Sequence, residues 1–276
     1  VGNEYRDSVI YAVDPHDRSH GLVIAYNTTY RTKHKHGIIV SREVDKSFIV
    51  GNVSFDNVGS GFMLDRDSVG NVIYANTAFA NRQDGVSLFE SACNLVLSNL
   101  LYRNDRAGIK VRNSWDVGIY HNVLTENRMG GIDGYIADLE HSPGSTGRDF
   151  ELDPYYPVTT LAAGWNRIER SGAGISLAGV SGATLIGNEF RYFGRRIFTG
   201  DIEPEATSLL AGADTGKVVL SQCRPKPSDS ACPLMDRGLF GDELFGRFFD
   251  ATADNDCTGI DGTVQSNAFA ATLNPG

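Results

Sequence analysis

The chain has 276 residues, 41% of them hydrophobic and 21% charged, with a formal net charge of −9. This composition fits a globular protein large enough to bury a core and excludes a disordered chain. No apolar run approaches membrane-spanning length, so no membrane span is expected. Residues 1–130 carry 14 basic and 14 acidic side chains, so the nine excess negatives all fall in residues 131–276. That imbalance argues against a nucleic-acid partner, which rewards phosphate-neutralising cations. It confines any polyanion site to a local basic lane in the neutral half.

The first notable stretch is "VIYAVDPHDRSHG", residues 9–21, in which two Asp, one Arg and two His crowd around Pro15 at the edge of an apolar run. A repeat follows. Asn27, Asn52, Asn76, Asn99 and Asn122 stand 25, 24, 23 and 23 residues apart. Three positions after each come Tyr30, Phe55, Phe79, Tyr102 and Thr125, and nine or ten after each comes a glycine (Gly37, Gly61, Gly85, Gly108, Gly131). Self-similarity at this period marks a solenoid. The apolar segments are short, β-branched and alternating, which excludes paired helices, and they lack a leucine framework. The fold expected is all-β, a right-handed parallel β-helix in which inward asparagines of successive coils form a ladder. On that reading the sequons at Asn27 and Asn52 are structural.

The register begins in mid-coil. Ala12 takes the glycine position, and Gly2-Asn3 stands where an Asn is due. With neither an initiator Met nor a signal-peptide pattern at Val1, the chain reads as processed or excised, and further N-terminal coils are expected. Later in the chain, residues 136–163 read as a Pro/Gly/acidic insertion, and coils resume at Asn166 and Asn188. The expected division is a catalytic β-helix over 1–198 and an irregular, Cys-containing cap or module over 199–276. Cys93 reads as a buried small hydrophobe. Cys223 and Cys232 bracket a Pro/Ser loop and suggest a disulfide, with Cys257 left over or swapped in, which points to an oxidising compartment.

Counting from each glycine position, the first and third residues are apolar in every coil and should point inward. The second and fourth should point outward: Asp14/His16, Ile39/Ser41, Met63/Asp65, Ser87/Phe89, Lys110/Arg112 and Asp133/Tyr135. Tyr11, Asp17, His36, Arg42, Arg66 and Glu90 flank them. This lane of His, Arg, Tyr and Asp suits an extended uronic-acid polymer. Arg42, Arg66 and Arg112 offer forks for carboxylates, and the tyrosines and Phe89 offer faces for sugar rings.

"DSVIYAVDPHDRSHGLVIAYN", "KHGIIVSREVDKSFI" and "GRDFELDP" resemble the mannuronan (alginate) C5-epimerases, most of all the periplasmic, calcium-independent bacterial type, with brown-algal enzymes as related candidates. The resemblance runs from about Asp7 to Pro154. It implies an isomerase that inverts C5 of β-D-mannuronate within the polymer, giving α-L-guluronate. It implies His16 of the D-P-H-D motif as the base, Arg42 of "SRE" as the neutraliser of the substrate carboxylate, Tyr11 as a candidate acid and Asp14 as the group that orients or tunes His16. Substrate binding is expected from Asp17, Arg18, His36, Asp65, Arg66, Glu90, Lys110 and Arg112. No cofactor is expected. The glycine/aspartate nonapeptide modules of calcium-dependent relatives do not occur, so neither is a calcium requirement. The lysine that those relatives take from an earlier coil is not found in this chain.

His20 reads as structural, and His34 and His121 as surface residues. Without an HExxH or Cys/His pairing no metal site is expected. The expected location is periplasmic or secreted to the cell wall, the partner a polymannuronate or alginate chain, with alginate-export or cell-wall assembly proteins as further partners. Two rivals stand beside the epimerase: a uronate polysaccharide lyase, which shares the C5 abstraction, and a non-catalytic solenoid that binds or protects alginate.

Overall fold

The computed structural model describes residues 1–135, 160–178, 182–191, 195–200, 213–214, 261–265 and 268–269. Each coil gives one short strand to each of three parallel sheets, of nine, eight and eight strands among the described residues. In one turn the chain runs through Val23–Ala25, Thr28–Tyr30 and Ile38–Ser41 before Phe48–Val50 pairs in register above Val23–Ala25. This is a parallel β-helix, right-handed as parallel crossovers are. Its interior is an apolar column that includes Ile38, Val40, Phe62, Leu64, Val86, Leu88, Ile109 and Val111. These are the first and third residues after each glycine position, as the alternation predicts.

The glycines recur for want of space. A Cβ on Gly85 would lie 2.7 Å from the carbonyl oxygen of Gly108, and one on Gly108 would lie 2.8 Å from that of Gly131. Adjacent coils approach too closely there for any side chain.

The asparagine ladder forms as expected. Asn76 shows its logic: its backbone N–H donates to Asn99 Oδ1 at 2.8 Å, and its Nδ2 donates both to Asn99 Oδ1 at 3.1 Å and to the Ile49 carbonyl at 2.8 Å. Its own Oδ1 accepts from the backbone N and the Nδ2 of Asn52, at 2.8 and 3.0 Å. The amide is thereby fully used, which is how a core tolerates a buried polar column. The ladder runs on from Asn122 to Asn166 and Asn188 across the interruption of the repeat. Asn27 and Asn52 are buried members of it, so both sequons serve the core. Beside it, Tyr30, Phe55, Phe79 and Tyr102 stack with centroids 4.8, 4.8 and 4.9 Å apart. Each spacing is one coil rise.

Thr160–Gly164 is already a strand of the third sheet, paired with Val117–Tyr120, so the coil resumes before the end of the expected 136–163 insertion. Residues 136–159 lie outside the described residues. Strand pairing also continues past the expected boundary at 198, through Arg195–Gly200, Ala213–Asp214, Asp261–Gln265 and Ala268–Phe269. The rest of 199–276 lies outside the described residues, as do Cys223, Cys232 and Cys257. Cys93 is a correction: it is buried, as expected, but it is disulfide-bonded and not a free thiol.

Candidate active site

The second sheet sets the register of the lane. Ile39, Met63, Ser87, Lys110 and Asp133 align in one column, and Ser41, Asp65, Phe89, Arg112 and Tyr135 in the next. Isolated bridges Val13–Ile38 and His16–Ser41 place residues 13–16 on the same sheet, one coil earlier. The outward columns read from the sequence therefore exist.

At the exposed end stand His16, Asp17 and Arg42. His16 Nδ1 lies 2.5 Å from Asp17 Oδ2, and an Arg42 guanidinium nitrogen lies 3.5 Å from Asp17 Oδ1. The carboxylate can only accept, so Nδ1 carries the proton and Nε2 keeps a free lone pair. His16 is thus held in the tautomer a general base requires, by Asp17 rather than by Asp14. Desolvation opposes ionisation of Asp17, but the His16 hydrogen bond, the charge of His16 and the Arg42 guanidinium outweigh it and hold the carboxyl below its ordinary value.

These side chains project from a turn built on left-handed backbone. Asp17 and Arg42 have φ of 57° and 62°, and Arg66 and Glu90 repeat the conformation at 47° and 48°. A non-glycine residue adopts this only where its surroundings over-determine it. Here the next coil does so: Arg42 N–H donates to the Asp65 carbonyl at 3.1 Å, and Arg66 N–H to the Phe89 carbonyl at 2.9 Å. The result is a column of charged side chains spaced one coil apart. Arg18 adds a neighbouring pair, its Nε 2.9 Å from Glu43 Oε2.

Tyr11 is half-buried. Desolvation, reinforced by the charges of Asp14 and Asp65, raises its pKa, so the phenol keeps its proton. Its ring lies parallel to that of His36 one coil on, centroids 6.0 Å apart and planes 5° apart. Asp14 is exposed, and desolvation raises its carboxyl above the ordinary value against the pull of His16 and Arg42.

Further along, the lane closes. Asp65 keeps only 9% of its side chain exposed and accepts from Arg66 Nε at 2.9 Å. Burial pushes its carboxyl up to about 6 against the pull of Arg66, and its Oδ1 has no hydrogen-bond partner among the described residues. Glu90, Ser87 and Phe89 are buried too. Phe89 lies under the Arg112 guanidinium, whose carbon is 4.0 Å from the ring centroid, so it offers no open face to a sugar. Lys110, 14% exposed, is tied to Asp84 Oδ2 at 3.0 Å, and Ala107 N–H donates to the other oxygen of that carboxylate. Burial also pushes Asp133 up to about 6, against the charge of Lys110.

The structure thus brings Tyr11, Asp14, His16, Asp17, Arg18, His36 and Arg42 together at the open end. Asp65, Glu90 and Lys110 are packed inside instead of lining a groove. Sequence reasoning missed Asp84, although it stands directly before Gly85 just as Tyr11, His36 and Ser60 stand before Ala12, Gly37 and Gly61. His20 bridges Asp45 through its backbone, in keeping with a structural part. His121 is exposed, its ring stacked on Trp165. Among the described residues no group of three or more His, Cys, Asp or Glu is arranged to hold a metal ion.

Fold and lane define a parallel β-helix that concentrates titratable side chains at one open corner. A family described as periplasmic copper-binding protein (NosD) matches residues 3–132. The described residues offer no cluster of donors suited to copper, so no chemistry is routed through that metal. The chain is similar to a mannuronan C5-epimerase of Pseudomonas putida, 46% identical over 170 residues, covering 62% of this chain and 32% of the relative. It is also similar to the mannuronan C5-epimerase AlgG of Azotobacter vinelandii, 51% identical over 154 residues, covering 56% and 29%. The solved periplasmic alginate epimerase AlgG superposes with a TM-score of 0.62 at 42% identity, covering 71% of this chain and 44% of that one. The AlgE6 A-module of Azotobacter vinelandii, at 15% identity and a TM-score of 0.57, shares the fold. The chain spans about a third of the length of the curated relatives it matches. Within that span, the resemblance to the mannuronan C5-epimerases holds.

Proposed function

We propose that this chain carries a C5-epimerisation site for β-D-mannuronate within an alginate polymer. The observation that carries the reading is the His16–Asp17–Arg42 cluster at the open end of the lane. It stands beside relatives named for that activity. The C5 proton is acidic only through the adjacent carboxylate, and removing it adds negative charge to a group that is already an anion. A base, a positive neutraliser and an acid on the opposite face are therefore required.

His16 Nε2 takes the C5 proton and becomes an imidazolium, which Asp17 stabilises as it holds the ring. The electron pair moves into the carboxylate, and the Arg42 fork meets the charge that builds there. Tyr11 delivers its phenolic proton to C5 from the other face. Exchange with water then returns a proton to Tyr11 and removes one from His16. No bond of the polymer other than C5–H is broken, so the chain stays intact. Desolvation of Tyr11, with Asp14 and Asp65 near it, supports its part as the acid by keeping it protonated until the carbanion forms. Asp14 acts on the Tyr11 and His16 charges from the exposed side.

An extracytoplasmic location, periplasmic or at the cell wall, fits the disulfide at Cys93 and the periplasmic relative. Polymannuronate is the partner, and export or wall-assembly proteins would deliver it. Proton NMR of polymannuronate after incubation tests the reading. Guluronate signals with unchanged chain length are expected. An unsaturated terminal uronate would instead identify a lyase, and an unaltered polymer that still binds would identify a protective solenoid.

A further inference from the structure

The two lane histidines are locked in opposite tautomers. His16 gives its Nδ1 proton to a carboxylate, leaving Nε2 as an acceptor. His36 does the reverse: the backbone N–H of Ser60 donates to its Nδ1 at 2.9 Å, so Nδ1 bears no proton and Nε2 carries it. The fit around this contact is close, since a Cβ on Gly59 would fall 2.7 Å from His36 Nδ1. The ring is further fixed by its parallel contact with Tyr11. Burial, with the positive charges of Lys35 and Lys110, lowers its pKa to about 4, so it stays neutral. His36 Nε2 reaches solvent, and among the described residues no hydrogen bond engages it. It is therefore an accessible N–H donor, pre-oriented, one coil from Tyr11 along the lane.

We propose that His36 is a substrate-binding residue whose neutral Nε2–H donates to a uronate carboxylate, that of the sugar one coil along from the one inverted at His16. The proposal rests on the epimerase reading and gives His36 a defined chemical part in it. The positive charge of Lys35 favours an anion as the acceptor. A neutral imidazole can bind that carboxylate without competing with His16 for the C5 proton. Neutral histidine donors of this kind polarise oxygens elsewhere in enzymology.

The test uses His36→Ala and His36→Gln, because the Gln side-chain amide can place an N–H near the position of Nε2. For His36→Ala we expect KM for polymannuronate to rise about tenfold, the loss typical of one hydrogen bond to a charged group. Its kcat should change less than threefold. His36→Gln should restore most of the affinity. Binding is also measured in a His16→Ala background, where no turnover occurs. There the same loss of affinity is expected with polymannuronate and none with a neutral, carboxyl-reduced polymer. Nitrogen NMR of the imidazoles should show His36 Nδ1 unprotonated from about pH 5 to 8.

A protonated Nδ1, or unchanged affinity in His36→Ala, would overturn the proposal. So would a loss in kcat alone, or equal losses with the neutral polymer. If the wild type binds polymannuronate through His36 yet makes no guluronate, the epimerase reading fails while the binding role stands.

Discussion

The two ends of the lane share one register and differ in what their side chains are free to do. At the open end His16 is 45% and Arg42 54% exposed, and their polar atoms meet in a loose cluster around Asp17. Two to four coils on from His16, Asp65, Glu90 and Lys110 occupy equivalent outward or turn positions, yet Asp65 and Glu90 are buried and Lys110 is nearly so, packed against Arg66, Asp84 and their neighbours. Outward direction in a β-helix therefore does not equal access. A charged column is a candidate site only where hydrogen-bonding capacity is left over, and that happens around Tyr11, His16, His36 and Arg42.

Substitutions at the two ends should separate in kind. The largest effect is expected for His16→Ala, a loss of epimerisation of about 10²–10⁴-fold with folding intact, since the base contributes on that scale. It is read as guluronate formed per unit time. Arg42→Ala follows, with about 10²-fold lost from kcat, because it removes a preformed donor aimed at developing charge. Arg42→Lys should recover only part, as a point charge cannot replace a fork.

Behind the lane, Asn76→Ala orphans the buried backbone N–H of Asn52 and removes the side-chain donor to the Ile49 carbonyl, while Asn52 Nδ2 keeps its bonds to the Ile24 and Val50 carbonyls. It should cost about 2–5 kcal/mol of stability in a denaturant titration. Its effect on kcat in the molecules that remain folded should be small.

The smallest effect is a pH signature of the closed end. Burial raises the Asp65 carboxyl to about 6 in the folded protein, against an ordinary value of 3.8. Between those values the unfolded chain ionises first, so rising pH destabilises the fold over that window and no further above it. Asp65→Asn removes this penalty. Its Tm relative to wild type should climb from about pH 4 to about pH 6 and then level off, and a constant difference across that range would contradict the burial described.

The coil was legible in the sequence because its period is written in residues with no substitute. Only Asn completes the ladder, and only Gly fits the close approach at positions such as Gly85 and Gly108. The outward columns were legible too, because strand alternation is strict. Burial of the far lane was not, since Asp84, the partner of Lys110, lies on the preceding coil and its place before Gly85 does not by itself reveal the ion pair. That Asp17 is the hydrogen-bond partner of His16 was not legible for a similar reason. Asp14 and Asp17 flank the histidine alike in sequence, and only the left-handed turn at Asp17 swings that carboxylate onto Nδ1. The Cys93 disulfide was missed because an apolar stretch around a cysteine reads the same whether or not the thiol is bridged.

The central claim is that His16 removes the C5 proton while the polymer stays whole. Its most direct measurement is C5 deuterium content of polymannuronate incubated in heavy water with the wild type and with His16→Ala. Deuterium at C5 accompanied by guluronate in the wild type, and neither in the variant, is the predicted result. Deuterium incorporation that survives His16→Ala, or appears together with unsaturated chain ends, would contradict it.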